Sequence, residues 1–135
     1  MRMKYGHAAS LACALVLRAV GAHLMTAQQP AFRRTVLQTH DLSAPGREGV
    51  MAIAEFPPNA VAPRHTHAGE ELGYVLEGTA VLEVEGKPPL TLKAGESFFI
   101  DAGTPHSARN VGATTARVLS VYVTEKGKPL ATPAP

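Results

Sequence analysis

The sequence has no tryptophan, and phenylalanine and tyrosine together make up only 5% of it. An aromatic platform for stacking bases is therefore missing, and so is any stripe of lysine and arginine, so nothing points to nucleic acid as a partner. There is a single cysteine, Cys13, near the start of the chain. The remainder thus has no disulfide, no thiol nucleophile and no thiolate metal site. Helical periodicity is missing beyond the first thirty residues, as are an internal repeat and a linker that would divide the chain into two domains. No apolar run is long enough to cross a bilayer stably, because the longest one is interrupted by Arg18.

That interrupted run belongs to the one segment that reads differently from the rest. MRMK opens the chain with positive charge and no acid, AASLACALVLRAVGA follows as an apolar stretch, and small residues at VGA or MTA offer cleavage sites near Ala22 or Ala27. Residues 1–27 are accordingly expected to be a signal peptide, which implies a periplasmic or secreted protein. The alternative is an amphipathic N-terminal helix on a cytoplasmic chain. Removing the segment takes away Arg2, Lys4 and Arg18, so Lys+Arg falls from 13 to 10 against 11 Asp+Glu, and the formal charge becomes −1.

What the chain has in quantity is punctuation: 12 glycines and 11 prolines at short intervals, with valine, leucine and alanine between them. From residue 31 the pattern is one of short strands separated by turn residues. RRTVLQTHDL, GVMAIAEF, HTH, ELGYVLEG, TAVLEVEG, LTLKAG, ESFFID, HSARNV and ARVLSVYVTEK are the extended pieces, and SAPGRE, PPNA, AG and DAGTP are the turns. ELGYVLEG, TAVLEVEG and LTLKAG read as a meander. The tail GKPLATPAP is too rich in proline to pair inside a sheet. Eight or nine strands at this spacing predict an all-β sandwich or barrel in one domain over residues 28–135.

Within it, the stretch HTHAGEE (65–71) poses the functional question. Side chains alternate along a strand, so His65 and His67 share a face. The Ala68-Gly69 turn then reverses the chain and brings in Glu71, with Gly73 and Val75 on its face. His106 opens a later strand behind Pro105. If these faces line the interior, three imidazoles and a carboxylate suit one divalent ion of Mn, Fe, Co, Ni, Cu or Zn. Otherwise they are polar residues on a solvated loop. Glu70 and Tyr74 have the opposite parity to Glu71, and Arg64 and Arg109 the opposite parity to their histidine neighbours; all four are expected outside. His40 reads as a surface histidine, and Asn110 as a residue holding a turn. In ARVLSVYVTEK, either Leu119, Val121 and Val123 or Val118, Ser120 and Tyr122 face the interior; in the second case Ser120 and Tyr122 become the polar contacts for a ligand.

The same residues resemble a known family. HTHAGEELGYVLEG (65–78) is similar to the first cupin motif, an HxH followed by Glu and Gly at set offsets, and GESFFIDAGTPHSARN (95–110) to the second, with Gly, His and Asn in place. Two departures stand out. Asn59 replaces the glycine that usually opens the first motif, and Asn is the residue that best tolerates positive φ in its stead. Asp101 replaces a proline of the second, in a turn that has no need of one.

The resemblance implies a cupin jelly-roll β-barrel in which His65, His67, Glu71 and His106 hold one divalent transition metal. It also implies a small-molecule substrate or ligand and a homodimer, with residues 33–42 and 124–135 crossing between subunits. The expected activity is metal-dependent chemistry on a small oxygen-bearing compound, dioxygenase-like or of the isomerase or lyase type. The alternative is a non-catalytic periplasmic module that binds metal or a small molecule.

Overall fold

The computed structural model describes residues 31–135, and within them every regular element is a strand. In chain order these are β1 (Arg33–Asp41), β2 (Arg47–Phe56), β3 (Val61–Thr66), β4 (Gly69–Glu77), β5 (Thr79–Val84), β6 (Leu90–Lys93), β7 (Ser97–Ile100), β8 (His106–Asn110), β9 (Ala116–Glu125) and β10 (Thr132–Pro133). They form two five-stranded antiparallel sheets, ordered β1-β2-β9-β4-β7 and β10-β3-β8-β5-β6. The expected signal peptide, Cys13 and Arg18 lie outside the described residues.

Alternation dictates how the sheets face each other. Along β2, Val50, Ala52, Ala54 and Phe56 are buried while the residues between them are half-buried. Along β9, the buried set is Ala116, Val118, Ser120, Tyr122 and Thr124. The choice left open in the sequence is thereby resolved, with Ser120 and Tyr122 inside. Phe56, Val75, Leu82, Leu92, Ile100 and Val118 pack together as the larger part of the core, and Val50, Ala52 and Tyr122 form a smaller cluster beside it. Burying side chains of this size stabilises the fold by about 1.5–3 kcal/mol each before chain entropy is counted.

One expectation needs correcting. ELGYVLEG, TAVLEVEG and LTLKAG are not one meander: β4 pairs with β9 and β7 in the first sheet, whereas β5 pairs with β6 and β8 in the second. The chain changes sheets at Gly78, where φ is 75° and an added Cβ would lie 2.8 Å from the Ala116 backbone. The proline-rich tail, expected to stay out of a sheet interior, supplies a short tenth strand. It is kept to the sheet edge, where Pro133 sits opposite His65 on β3 and its missing N–H costs little. β1 pairs with β2 and the tail with β3.

Asn59 adopts a φ of 67°, as its place in the Pro58-Asn59 turn predicts. Asp101 is exposed and accepts the Thr104 N–H in a turn through Gly103. Asn110 is buried and structural: its amide donates to the carbonyls of Phe56 and Thr114 at 2.8 and 2.7 Å and accepts the Gly112 N–H at 2.7 Å.

Candidate metal centre

The site begins with a β-bulge. β3 pairs with β8 as Ala62↔Ala108 and then His65↔His106, so one extra residue is accommodated over Pro63–Arg64. Without it, residues 62 and 65 would point to opposite faces. With it, Ala62 and His65 both line the interior, and His67 follows on the same side. A bulge beside a site that re-aims a side chain is a common device, and proline, which cannot donate to a ladder, is at home in one. The turn at Ala68-Gly69 then starts β4. Gly69 is packed so closely on the backbone of Val123 and Thr124 that a side chain there would collide with it. Two residues on, Glu71 faces inward opposite Ile100 on one side and Tyr122 on the other.

His67, Glu71 and His106 are 3%, 6% and 2% exposed, and His65 is half-buried. One ring nitrogen of each histidine lies within 4.8 Å of the corresponding atoms of the other two. The other ring nitrogen is committed in every case. His65 Nδ1 donates to the Pro63 carbonyl at 2.6 Å, His106 Nδ1 to the Thr104 carbonyl at 2.9 Å, and His67 Nδ1 to the Leu130 carbonyl in the tail. A carbonyl oxygen only accepts, so the proton of each neutral imidazole sits on Nδ1 and the lone pair is on Nε2, facing the others.

Glu71 completes the arrangement with Oε2 at 3.1 Å from His67 Nε2 and 3.4 Å from His106 Nε2. Its Oε1 accepts a 2.7 Å hydrogen bond from the Ser120 hydroxyl. Burial by itself would raise this carboxyl, but the nearby His106 and His67 rings and the hydrogen bond from Ser120 outweigh it and hold Glu71 well below the usual carboxylate range. Burial pushes His65 down to about 4, assisted by the neighbouring His106, His67 and Arg34 against the opposing hydrogen bond to Pro63. The Tyr122 phenol, whose ring meets His67 edge-on at 4.7 Å, is pushed above its ordinary value by burial and by the adjacent Glu71 charge. The cluster is therefore an ionised carboxylate, a neutral His65 and an un-ionised phenol.

Lone pairs from several nitrogens aimed at a carboxylate oxygen repel one another unless a cation stands among them. His65 Nε2 and His67 Nε2 are buried with no hydrogen-bond partner, an unfavourable state that a bound ion would relieve. The donor set thus fits a divalent transition metal: imidazole nitrogens with their outer hydrogens fixed, and one carboxylate. Of the four residues singled out in the sequence, the three histidines converge and Glu71 lies against His67 and His106. Glu70, Tyr74, Arg64 and Arg109 are not part of the cluster: Tyr74 and Arg109 are exposed, Glu70 is half-buried, and Arg64 pairs with Glu85 at 2.9 Å. His40 is exposed on β1.

Two contributors were not identified from the sequence. One is the tail carbonyl of Leu130, a main-chain atom that no residue pattern marks. The other is Arg34 on β1, which lines the same cavity as His65, Glu71 and His106. The alternation of Phe32, Arg34 and Val36 is its only sequence trace, and the neighbouring Arg33 obscures it.

Comparison with known proteins agrees with this geometry. The Cupin domain family matches residues 52–122. The chain is 38% identical over 79 residues to the HTH-type transcriptional regulator PuuR of Escherichia coli, a match covering 58% of this chain and 42% of the regulator. It is 36% identical over 75 residues to an oxalate-binding protein of Thermotoga maritima, covering 55% of this chain and 61% of that protein. The chain thus spans less than two thirds of either relative, and no helix-turn-helix occurs among the described residues. Among solved structures, the dimethylsulfoniopropionate (DMSP) lyase DddQ of Ruegeria pomeroyi superposes with a TM-score of 0.65 over 86% of this chain and 56% of its own, at 23% identity, a likeness of fold.

Proposed function

The chain belongs to the cupin domain family, and from that premise we propose that it is a metal-dependent enzyme acting on a small oxygen-bearing organic compound. His65, His67, Glu71 and His106 are the ligands of one divalent ion of Mn, Fe, Co, Ni, Cu or Zn. The observation that carries the proposal is the convergence of the three histidine nitrogens within 4.8 Å, two of them buried without a partner. When bound, the ion supplies Lewis acidity for isomerisation or elimination, or, if redox-active, dioxygen chemistry for oxidative cleavage. The protein's own groups prepare the site. The carbonyls of Pro63, Thr104 and Leu130 fix the imidazole tautomers, and Ser120 fixes the rotation of Glu71. Tyr122 keeps its proton and can donate a hydrogen bond to a ligand oxygen, and the apolar walls around Phe98 and Ile100 keep water away.

The test is elemental analysis of natively expressed protein together with a turnover and oxygen-uptake panel of keto acids, uronates, flavonoids and diketones. Turnover that disappears in His67→Ala and Glu71→Gln, with the barrel still folded, supports the proposal; protein without metal after growth with all six metals contradicts it.

A second reading, a non-catalytic binding module, is favoured by one observation: no group in the cavity is free to shuttle protons. Glu71 is held ionised, Tyr122 is held protonated and each histidine Nδ1 is tied to a carbonyl. The relative from Thermotoga maritima is likewise named for binding. Stoichiometric metal with no reaction across the panel selects this reading. Export is part of the proposal in either case, and mass spectrometry of the mature protein tests it, since an intact Met1 contradicts cleavage. A homodimer is proposed as well, because β1 is a nine-residue strand at a sheet edge with Val36 and Leu37 each 52% exposed. Light scattering in solution decides it.

A further inference from the structure

Arg34 stands where the cavity opens. It sits on β1 opposite Ala54 and, with Phe32, Ala62 and His65, lines both the interior cavity and an outer groove that runs to Ala131 and Pro133 of the tail. These four residues are therefore the neck through which a ligand reaches the histidines. The guanidinium carbon lies 5.3 Å from the centre of the Phe32 ring and 5.7 Å from that of Tyr122, so two aromatic faces fix its position. Phe32 is itself held by Phe56, with ring centres 4.8 Å apart.

The charge has no acidic partner among the described residues. Arg33, Arg64, Arg109, Arg117 and Lys126 each pair with a carboxylate, but Arg34 does not. Its Nε is buried without a hydrogen-bond acceptor. Neither the groove nor the neck contributes a carboxylate, and the one acid of the inner cavity, Glu71, already accepts a hydrogen bond from Ser120. A buried guanidinium nitrogen without an acceptor is a costly arrangement. A planar anion presenting two oxygens relieves it, since arginine's fork matches a carboxylate.

We infer that Arg34 is the anion-recognition residue of this site and that the ligand is a small carboxylate, gripped at its carboxyl end by Arg34 while a second oxygen reaches the histidine cluster. The inference deepens the metal-site reading and rests on it for the second oxygen only. Size follows from the space: the inner cavity leaves ≈ 40 Å³ for the centres of water-sized groups. One water needs about 10–15 Å³ on that measure, so the enclosed part holds a fragment of about two to four carbons, and anything longer extends into the outer groove.

The test is calorimetric binding of lactate, pyruvate and malonate, each compared with its neutral amide, to the wild type, Arg34→Gln and Arg34→Lys, with and without added Mn²⁺. Manganese affinity is titrated separately on all three proteins. The expected result is that at least one carboxylate binds the wild type about tenfold or more tightly than its amide, as loss of a charge-assisted pair implies. Arg34→Gln then abolishes the preference at unchanged manganese affinity, and Arg34→Lys restores it in part. Equal binding of acids and amides, a preference that survives in Arg34→Gln, or no binding of any of the three carboxylates overturns the inference. Failure of the metal reading shows up differently, as absent manganese binding while the Arg34-dependent preference persists in metal-free protein.

Discussion

Followed along β4 and β9, the inward-facing row changes character. At one end Glu71, Ser120 and Tyr122 stand beside the three histidines; at the other Val75, Val118 and Ala116 pack against Leu82 and Leu92. Both ends are buried and built on the same rigid strands, so the difference lies in what each side chain needs. The apolar end is complete in itself, and its side chains only have to fill space. At the polar end, two histidine nitrogens and the Arg34 Nε remain buried without partners. Unsatisfied polar atoms grouped at one end of an otherwise well-filled cavity mark where a ligand completes the fold.

The comparison can be broken from either side. The largest expected effect is at the polar end: His67→Ala lowers metal affinity by more than the 10–100-fold that an outer hydrogen-bond partner is typically worth, while the circular dichroism of the barrel is unchanged. Leu92→Ala does the reverse. Leu92 is 4% exposed, and its truncation costs about 2–5 kcal/mol in urea unfolding, with metal still bound by the folded fraction. A weaker effect comes from deleting residues 129–135, which removes the Leu130 carbonyl from His67. Metal affinity should fall by about 10–100-fold. An unchanged titration would show that the tail has no part in orienting the imidazole. Ser120→Ala, which frees one oxygen of Glu71, costs on the order of 1–3 kcal/mol in the same unfolding assay.

The smallest effect is on pH dependence in chelator-treated protein. His65 is held below its ordinary value of 6.5, at about 4, so the fold favours its neutral form and the unfolded chain takes up the proton first. That contribution is complete above pH 6.5 and is lost as pH falls through about 4. Glu71, also depressed, adds a loss at still lower pH. Melting temperature should therefore fall on acidification across this window, and less so in His65→Gln.

The two ends also differ in how far they could be read in advance. The grouping of His65, His67, Glu71 and His106 was legible because period-two alternation, a two-residue turn and two linked motifs are all local patterns. The positive φ of Asn59 was legible for the same reason. The bulge at Pro63–Arg64 was not, because it exists only in the register between β3 and β8. Which face of β9 points inward depends on the pairing of Ser120 with Gly73 and Ala52, a fact about partners far away in the chain. Arg34 and the Leu130 carbonyl lie outside both motifs, on an edge strand and in the tail, and tertiary contact alone brings them to the site.

The most direct measurement of the central claim is a metal count on natively expressed, rapidly purified protein, repeated on His67→Ala. One divalent transition-metal ion per chain in the wild type and none in the variant is the predicted result. A folded wild-type protein that carries no metal and takes up none of the six ions on titration would contradict it.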